Sequence, residues 1–520
     1  MIDLPLMQSV CPNGLSEGAV SAQLSRLLAE HARQISELSA EQNRQASAPL
    51  AGRTLQNVLL IPPDFTRANS GAGHIVRILW KLLAGCRVDI LPALGTHAPM
   101  SRGQQIEFFG PDIPADAFLT HDWRTGIVTL GQVPAEAVWE ISGGLMDQAI
   151  PVQLAAPVVK GRYDLILSIG QVVPHEVAGM ANYTKNLVVG CGGSAFISAS
   201  HMLGAMVGAE HIMGRADNPV RRLFDYAQQH FLKDLPLAYV LTVTAPVSGE
   251  SVEVCAHGTA DCAESTCENQ PVDACPKATY EGQLTAACAQ AACDVIAEKS
   301  PSCAMRAGEK PLHAAPFDAP EGDAPCRVLG LYTSSGRDGF EAAAAHAARA
   351  NITQVARPIH TCVVYLDASE FHSTWLGNKA VYRTRMALAR DARLIVLAPG
   401  VCRFGEDDEN DRLIRKYGYA GRAQVIEWLK TQPDLRESLS VAAHLIHGSH
   451  DDAFSVTYAA PKLTPDEVQK AGYRYGPSEL LARYAPEHLT PGWNTLPDDE
   501  EIYFIQNPAL GLWKFEASDD

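Results

Sequence analysis

Three short apolar runs, each stopped by Pro or Gly and followed at once by ionisable side chains, constrain this chain most. Asn57 to Ile61 ends at Pro62-Pro63 and leads into Asp64, Thr66 and Arg67. Arg87 to Ala93 leads into LGTHAPMS, with His97. Asp164 to Ile169 leads into a long Gly-rich stretch carrying His175, Gly179, Lys185 and, by its end, His201. Runs this short and this apolar read as strands buried on both faces, the habit of parallel sheets. Helical stretches fit His74 to Ala84, Ser101 to Phe109, Ser198 to Val207 and Pro219 to Phe231, and a further strand fits Ala238 to Thr244. The repeated order of strand, loop and helix predicts an α/β fold: mostly parallel sheets flanked by helices, with ligands beyond the strand carboxyl ends.

A chain of 520 residues exceeds one hydrophobic core, so two domains are expected. Residues 1–50 form an N-terminal helical extension, with Val20, Leu24, Leu27, Leu28 and Ile35 at helical spacing over Glu17 to Arg44. Residues 51–250 form a cofactor-binding α/β domain. Residues 251–325 hold seven of the 13 cysteines and read as an insertion or linker, with Glu281 to Glu298 suited to a helix. Residues 326–520 form a second α/β domain with a helical C-terminal part. Its strands are expected at Arg327 to Tyr332, Thr361 to Leu366, Arg393 to Ala398 and near Glu501 to Ile505, and its helices at Phe340 to Ala350 and Lys379 to Ala389. Two such sheets predict an active site in the cleft between the domains.

The net charge of -17 argues against nucleic acid and acidic membranes as partners, but not against a small anion held by local cations. The start MIDLPLMQSV has no basic, apolar leader pattern, and no run reaches the roughly 20 apolar residues of a membrane span. A cytoplasmic location with reduced thiols is the expectation. No C-x2-C pair occurs, so the cysteine spacing is a poor match to zinc and iron–sulfur patterns.

His97 and His175 each follow a strand end, where an imidazole can take or return a proton near neutral pH. Lys185 in its Gly-rich loop can bind phosphate by charge or act as a nucleophile. His201, on a helix, can be structural or a metal ligand. Arg67 beside Asp64 can clamp a carboxylate or form a loop salt bridge. Lys379 can reach across the cleft to an anion. The GCGG segment is a weak phosphate signal, because it lacks the full dinucleotide fingerprint.

Together DFTR, LGTH followed by Pro-Met, and Pro-His-x-x-Ala-Gly leading to a lysine resemble the lactate racemase family, the LarA-type enzymes with a nickel-pincer nucleotide. His201 lies sixteen residues beyond Lys185, as the family's nickel-ligand histidine lies beyond its anchoring lysine. The resemblance implies His97 and His175 as the acid/base pair, Lys185 as the thioamide anchor and His201 as the nickel ligand. It further implies Asp64, Thr66 and Gly179 beside the cofactor, and Arg67 and Lys379 on a small anionic hydroxy-acid substrate. Separate maturation enzymes would supply the cofactor, and a homo-oligomer is left open. Where the family reads approximately GFSGGAK, this chain reads GMANYTK. Asn182 and Tyr183 thereby join the substrate-binding set, and a polyhydroxylated acid epimerised at C2, with D-gluconate as the specific expectation, replaces lactate. Racemisation of a small acid, a nicotinamide-dependent dehydrogenase and a non-catalytic cofactor carrier remain the alternatives.

Overall fold

The computed structural model describes residues 3–45, 55–246, 326–509 and 511–516. The cysteine-rich segment and the helix expected within it lie outside these residues. A six-stranded sheet runs in the order Met7–Val10, Cys326–Ser334, Leu237–Pro246, Leu165–Gln171, Asn57–Ile61 and Arg87–Ile90. The last four strands are mutually parallel, and the first two join antiparallel. Alternate residues of each inner strand feed opposite layers. Val58, Leu60, Leu165 and Leu167 pack with Val20, Leu24 and Leu27 of the helix Glu17–Gln45 and with Ile75 and Leu79 of Ala72–Leu82. Leu59, Ile61 and Ile166 pack toward Phe196, Leu203, Leu223, Phe224 and Phe340 on the other face.

A second six-stranded sheet runs Arg474–Tyr475, Phe454–Ala459, Leu388–Leu397, Ile359–Tyr365, Glu501–Ile505 and Gly492–Thr495. Its neighbours are parallel except the last pair. The expected α/β class, with parallel-rich sheets between helices, is the one observed. Among the described residues no helix is long and apolar enough to cross a membrane.

The expected boundary at 326 is corrected. Cys326–Ser334 returns to the first sheet as the antiparallel partner of Leu237–Pro246, and the helix Arg337–Asn351 packs on the same layer through Phe340, Ala343 and Ala347. The N-terminal segment is no mere extension either, since Met7–Val10 closes the edge of that sheet. An apolar strand followed by an Ala-rich helix looks alike whether its pairing is parallel or antiparallel, so the sequence pattern does not separate the cases. The helix expected over Lys379 to Ala389 is also corrected. Only the single turns Thr374–Gly377 and Lys379–Tyr382 form. The carbonyls of Arg383 and Met386 accept the N–H groups of Trp513 and Phe515 (3.1 and 3.0 Å). They are committed to the C-terminal segment, where a continuing helix would need them. The antiparallel pair Ile127–Val133 and Ile150–Ala155 was not anticipated.

Leu24 is fully buried between the first long helix and the sheet. Leu24→Ala is expected to cost about 2–5 kcal/mol, read as a lowered urea midpoint of the first unfolding transition.

Candidate functional site

The Asn57–Ile61 strand ends at Pro62-Pro63, and Asp64 precedes the 3-10 turn Phe65–Ser70. Asp64 is buried. Its carboxylate accepts the Thr66 hydroxyl (2.5 Å) and stands 2.6 Å from His97 Nδ1. Burial alone would raise the Asp64 carboxyl, but the His97 hydrogen bond and charge, the Thr66 hydroxyl and the charge of Arg67 hold it below its usual range. An imidazole beside an ionised carboxylate keeps its proton on the bonded nitrogen. His97 therefore donates from Nδ1 and offers a bare Nε2, on a side chain 58% exposed.

His175 is the opposite case. It sits in a two-residue hairpin, Pro174–His175 against Gly179–Met180, and is buried. Its Nδ1 accepts the backbone N–H groups of Val177 (3.1 Å) and Ala178 (3.4 Å). The proton of the neutral ring is then on Nε2. Burial, with the charges of Lys185, Arg67 and His201, pushes its pKa well below the usual histidine value, against the pull of Glu176. Burial works against the Glu176 carboxyl too, yet His175 and the guanidinium groups of Arg383 and Arg67 hold it far below its usual range.

Lys185 belongs to the short helix Thr184–Val188. Asn186 pins that helix to the sheet, donating to Ile61 O (3.0 Å) and Ser168 Oγ (3.1 Å). Burial and the nearby Arg67 charge push the Lys185 amine down to about 8. His201 lies on the helix Ser194–Val207 and donates from Nδ1 to Ile197 O one turn back (2.6 Å). That bond fixes the tautomer and leaves the Nε2 lone pair outward, the arrangement of a metal-ligating histidine. Burial, aided by the Lys185 charge, brings its pKa down to about 4. Lys379, from the second sheet's domain, is brought down to about 8 by burial and by the charges of Arg383 and Arg67. Its ammonium stands 5.5 Å from the Phe371 ring centroid.

Thus His175, Lys185, His201, Arg67 and Lys379 share one buried electrostatic neighbourhood, and Asp64 links His97 to it. No hydrogen bond or ion pair among the described residues occupies the Lys185 amine, the Arg67 guanidinium, the Lys379 ammonium or the His201 Nε2. Three partly buried cations, none hydrogen-bonded or ion-paired to an anion among the described residues, can take an anionic ligand. Among the described residues no three His, Cys, Asp or Glu side chains are grouped to hold a metal ion, so a metal at His201 would need its other ligands from a bound group.

Three expected site residues serve other ends. Tyr183 points into the core, 4.3 Å from the Tyr239 ring and 5.2 Å from Phe340. Asn182 is buried, its Oδ1 taken by the Tyr183 N–H (2.7 Å). Both have φ near +60°. Neighbouring left-handed residues turn the chain so that Tyr183 enters the core, and alternation along the loop does not reveal that turn. Gly179 has φ +78°, and an added Cβ would stand 2.9 Å from Ile212 O and closer still to Arg215 O. It shapes the His175 hairpin through close backbone approach. The glycines of GCGG are likewise pressed on protein atoms: Gly190 faces the Ala93 Cβ, and Gly193 faces Ile127.

Sequence reasoning missed four residues here. Arg221, fully buried, donates to the carbonyl of Met180 (2.6 Å) and packs 4.3 Å from the Phe340 ring. Glu176, Arg383 and His447 also border the cluster. His447 is buried with neither ring nitrogen hydrogen-bonded, on the helix Leu439–Gly448 that faces Ser194–Val207. The apolar neighbours Val220, Leu223 and Phe224 around Arg221 were the one available signal.

Comparison with known proteins follows this geometry. Over 92% of this chain and 93% of its own, the lactate racemase apoprotein from Thermoanaerobacterium thermosaccharolyticum has the same fold, with TM-score 0.55 at 15% identity. A crystal structure of a protein from Thermotoga maritima matches 97% of this chain and 99% of that one, with TM-score 0.64 at 18% identity. No curated protein matches the sequence. The fold is thus that of a two-domain α/β protein of the lactate racemase architecture. Residues 25–214 match the family model described as the lactate racemase N-terminal domain.

Two outcomes are expected. Acylation of Lys185 by an amine reagent should rise with a midpoint near pH 8, where a solvated lysine titrates near about 10.4; peptide mass mapping reads it. Gly179→Ala should destabilise the fold by at least about 1–2 kcal/mol, read by thermal unfolding.

Proposed function

We propose that this protein is an isomerase, a racemase or epimerase of 2-hydroxy acids that uses a nickel-pincer nucleotide anchored at Lys185. The observation that carries the reading is the convergence of a depressed Lys185 amine and an open His201 Nε2 on one cluster with His175 and unpaired Arg67. The described residues fit the group. Lys185 can be neutral and nucleophilic near pH 8, and His201 offers a neutral nitrogen. When bound, such a group supplies a reversible hydride acceptor, so that a poorly acidic α-carbon need not become a carbanion.

The chain's own residues do the rest. Arg67, whose guanidinium no hydrogen bond or ion pair among the described residues occupies, holds the substrate carboxylate, and Lys379 adds charge from the other domain. His97 Nε2, with Asp64 behind it, takes the hydroxyl proton. His175, neutral, gives a hydrogen bond from Nε2–H to the same oxygen and keeps its proton. The opposite enantiomer requires His175 to accept instead, which the ring can do only if the Val177 and Ala178 N–H groups release Nδ1 to take the proton, with Glu176 Oε2 3.9 Å away. Asp64 and Thr66 keep the strand-end loop in place for this exchange.

D-gluconate remains the specific sugar-acid candidate, and small acids such as lactate the alternative. The loop basis for a sugar acid is reduced, because Tyr183 and Asn182 turn inward. Protein matured with the cofactor-installing enzymes should carry added mass on Lys185 and one nickel, both lost in Lys185→Ala. It should invert C2 of at least one of lactate, malate and gluconate. His97→Ala and His175→Ala should each lower kcat by about 10²–10⁴-fold while retaining bound cofactor. Loaded protein that inverts none of these acids and exchanges no α-hydrogen would overturn the reading in favour of a carrier; unchanged inversion in both histidine variants would remove His97 and His175 from the chemistry.

A further inference from the structure

The His175 hairpin is too short to hold itself, since two-residue strands have little independent stability. Two buried arginines grip it from opposite sides. Arg221, from the first domain, holds the return strand through Met180 O (2.6 Å), while Asn218 Nδ2 holds Ala178 O (3.2 Å). Arg383 comes from the second domain. Its Nη2 donates to Pro174 O (3.4 Å), the carbonyl just before His175, and stands 3.9 Å from Glu176 Oε2. Its Nη1 donates to Ala509 O (3.2 Å) and Gly511 O (3.1 Å), and its own carbonyl accepts the Trp513 N–H. Trp513 lies in the strand Leu512–Lys514, which pairs with Ile352–Gln354.

We propose that Arg383 is a positioning residue that ties the seating of the second domain and of the C-terminal segment to the placement of the His175 ring. Arg383 is 2% exposed and its terminal nitrogens are committed to backbone carbonyls, so it does not bind substrate. The ring itself is oriented by the Val177 and Ala178 N–H groups inside the same hairpin. A shift of the Pro174 carbonyl therefore moves ring and orienting donors together. Lysine cannot replace this grip, because a single ammonium lacks the planar fork that reaches both carbonyl sets. The functional meaning of the brace rests on the reading of His175 as a group that handles the substrate's hydroxyl proton.

Hydrogen exchange on the full-length apoprotein tests the brace without any turnover. In Arg383→Met and Arg383→Lys, the Val177, Ala178 and Met180 amides should exchange about tenfold faster or more. The strands Leu165–Gln171 and Ile359–Tyr365 should keep wild-type rates. Where Arg383→Met unfolds globally, Arg383→Lys, which keeps charge and stem, decides. In loaded enzyme kcat should fall about a hundredfold with KM within about threefold, and added guanidinium should restore part of the rate in Arg383→Ala. Unchanged hairpin exchange in the folded variants overturns the proposal. So does a raised KM with kcat kept, which would make Arg383 a substrate ligand. If loaded wild-type enzyme turns over no hydroxy acid, the functional reading falls while the exchange result still decides the brace.

Discussion

Clustered positive charge with no directly bonded anion among the described residues is the condition on which the rest of this structure depends. Arg67, Lys185 and Lys379 meet at the domain junction, and Lys185 and Lys379 respond by loosening their protons. Removing charges from water costs several kcal/mol per ion unless they are well paired. Here Glu176 and Asp64 supply the nearby negative charge. The cost is carried by the two apolar cores on either side and is offset when an anionic ligand arrives. In a protein of net charge -17, the proposed anionic substrate would be held by this local arrangement of cations.

The histidines show the same economy of means. His97 and His175 are alike in sequence, each just past a strand end, yet their rings are held by opposite partners: a carboxylate for one, backbone N–H groups for the other. The proton therefore sits on Nδ1 in His97 and on Nε2 in His175. The two rings are thereby fixed in opposite senses by the protein alone, which on the proposed function is preorganisation in the plain sense.

Much of this was legible from the chain. The runs at Asn57, Arg87 and Asp164 became parallel strands because their residues are apolar on both faces, and Glu501–Ile505 falls where its pattern placed it. The loops beyond the first three strands do hold Asp64, His97, His175 and Lys185. What escaped reading were features set by partners distant in sequence. The direction of Cys326–Ser334 depends on Leu237–Pro246, the early stop after Tyr382 on the C-terminal segment, and the inward turn of Tyr183 on a pair of left-handed residues. Arg221 and Arg383 were invisible because their task is to hold main-chain carbonyls, which leave no trace in side-chain patterns.

The return of the chain to the first sheet has one more consequence. Pro246 and Cys326 are opposite each other in an antiparallel ladder, so the chain leaves and re-enters the domain at the same end of two neighbouring strands. The entropy of closing such a loop grows only with the logarithm of its length. The domain is therefore nearly indifferent to how much chain is threaded between these two residues. This end of the ladder is a permissive graft point, where a module can be lengthened, shortened or exchanged while the sheet keeps its register.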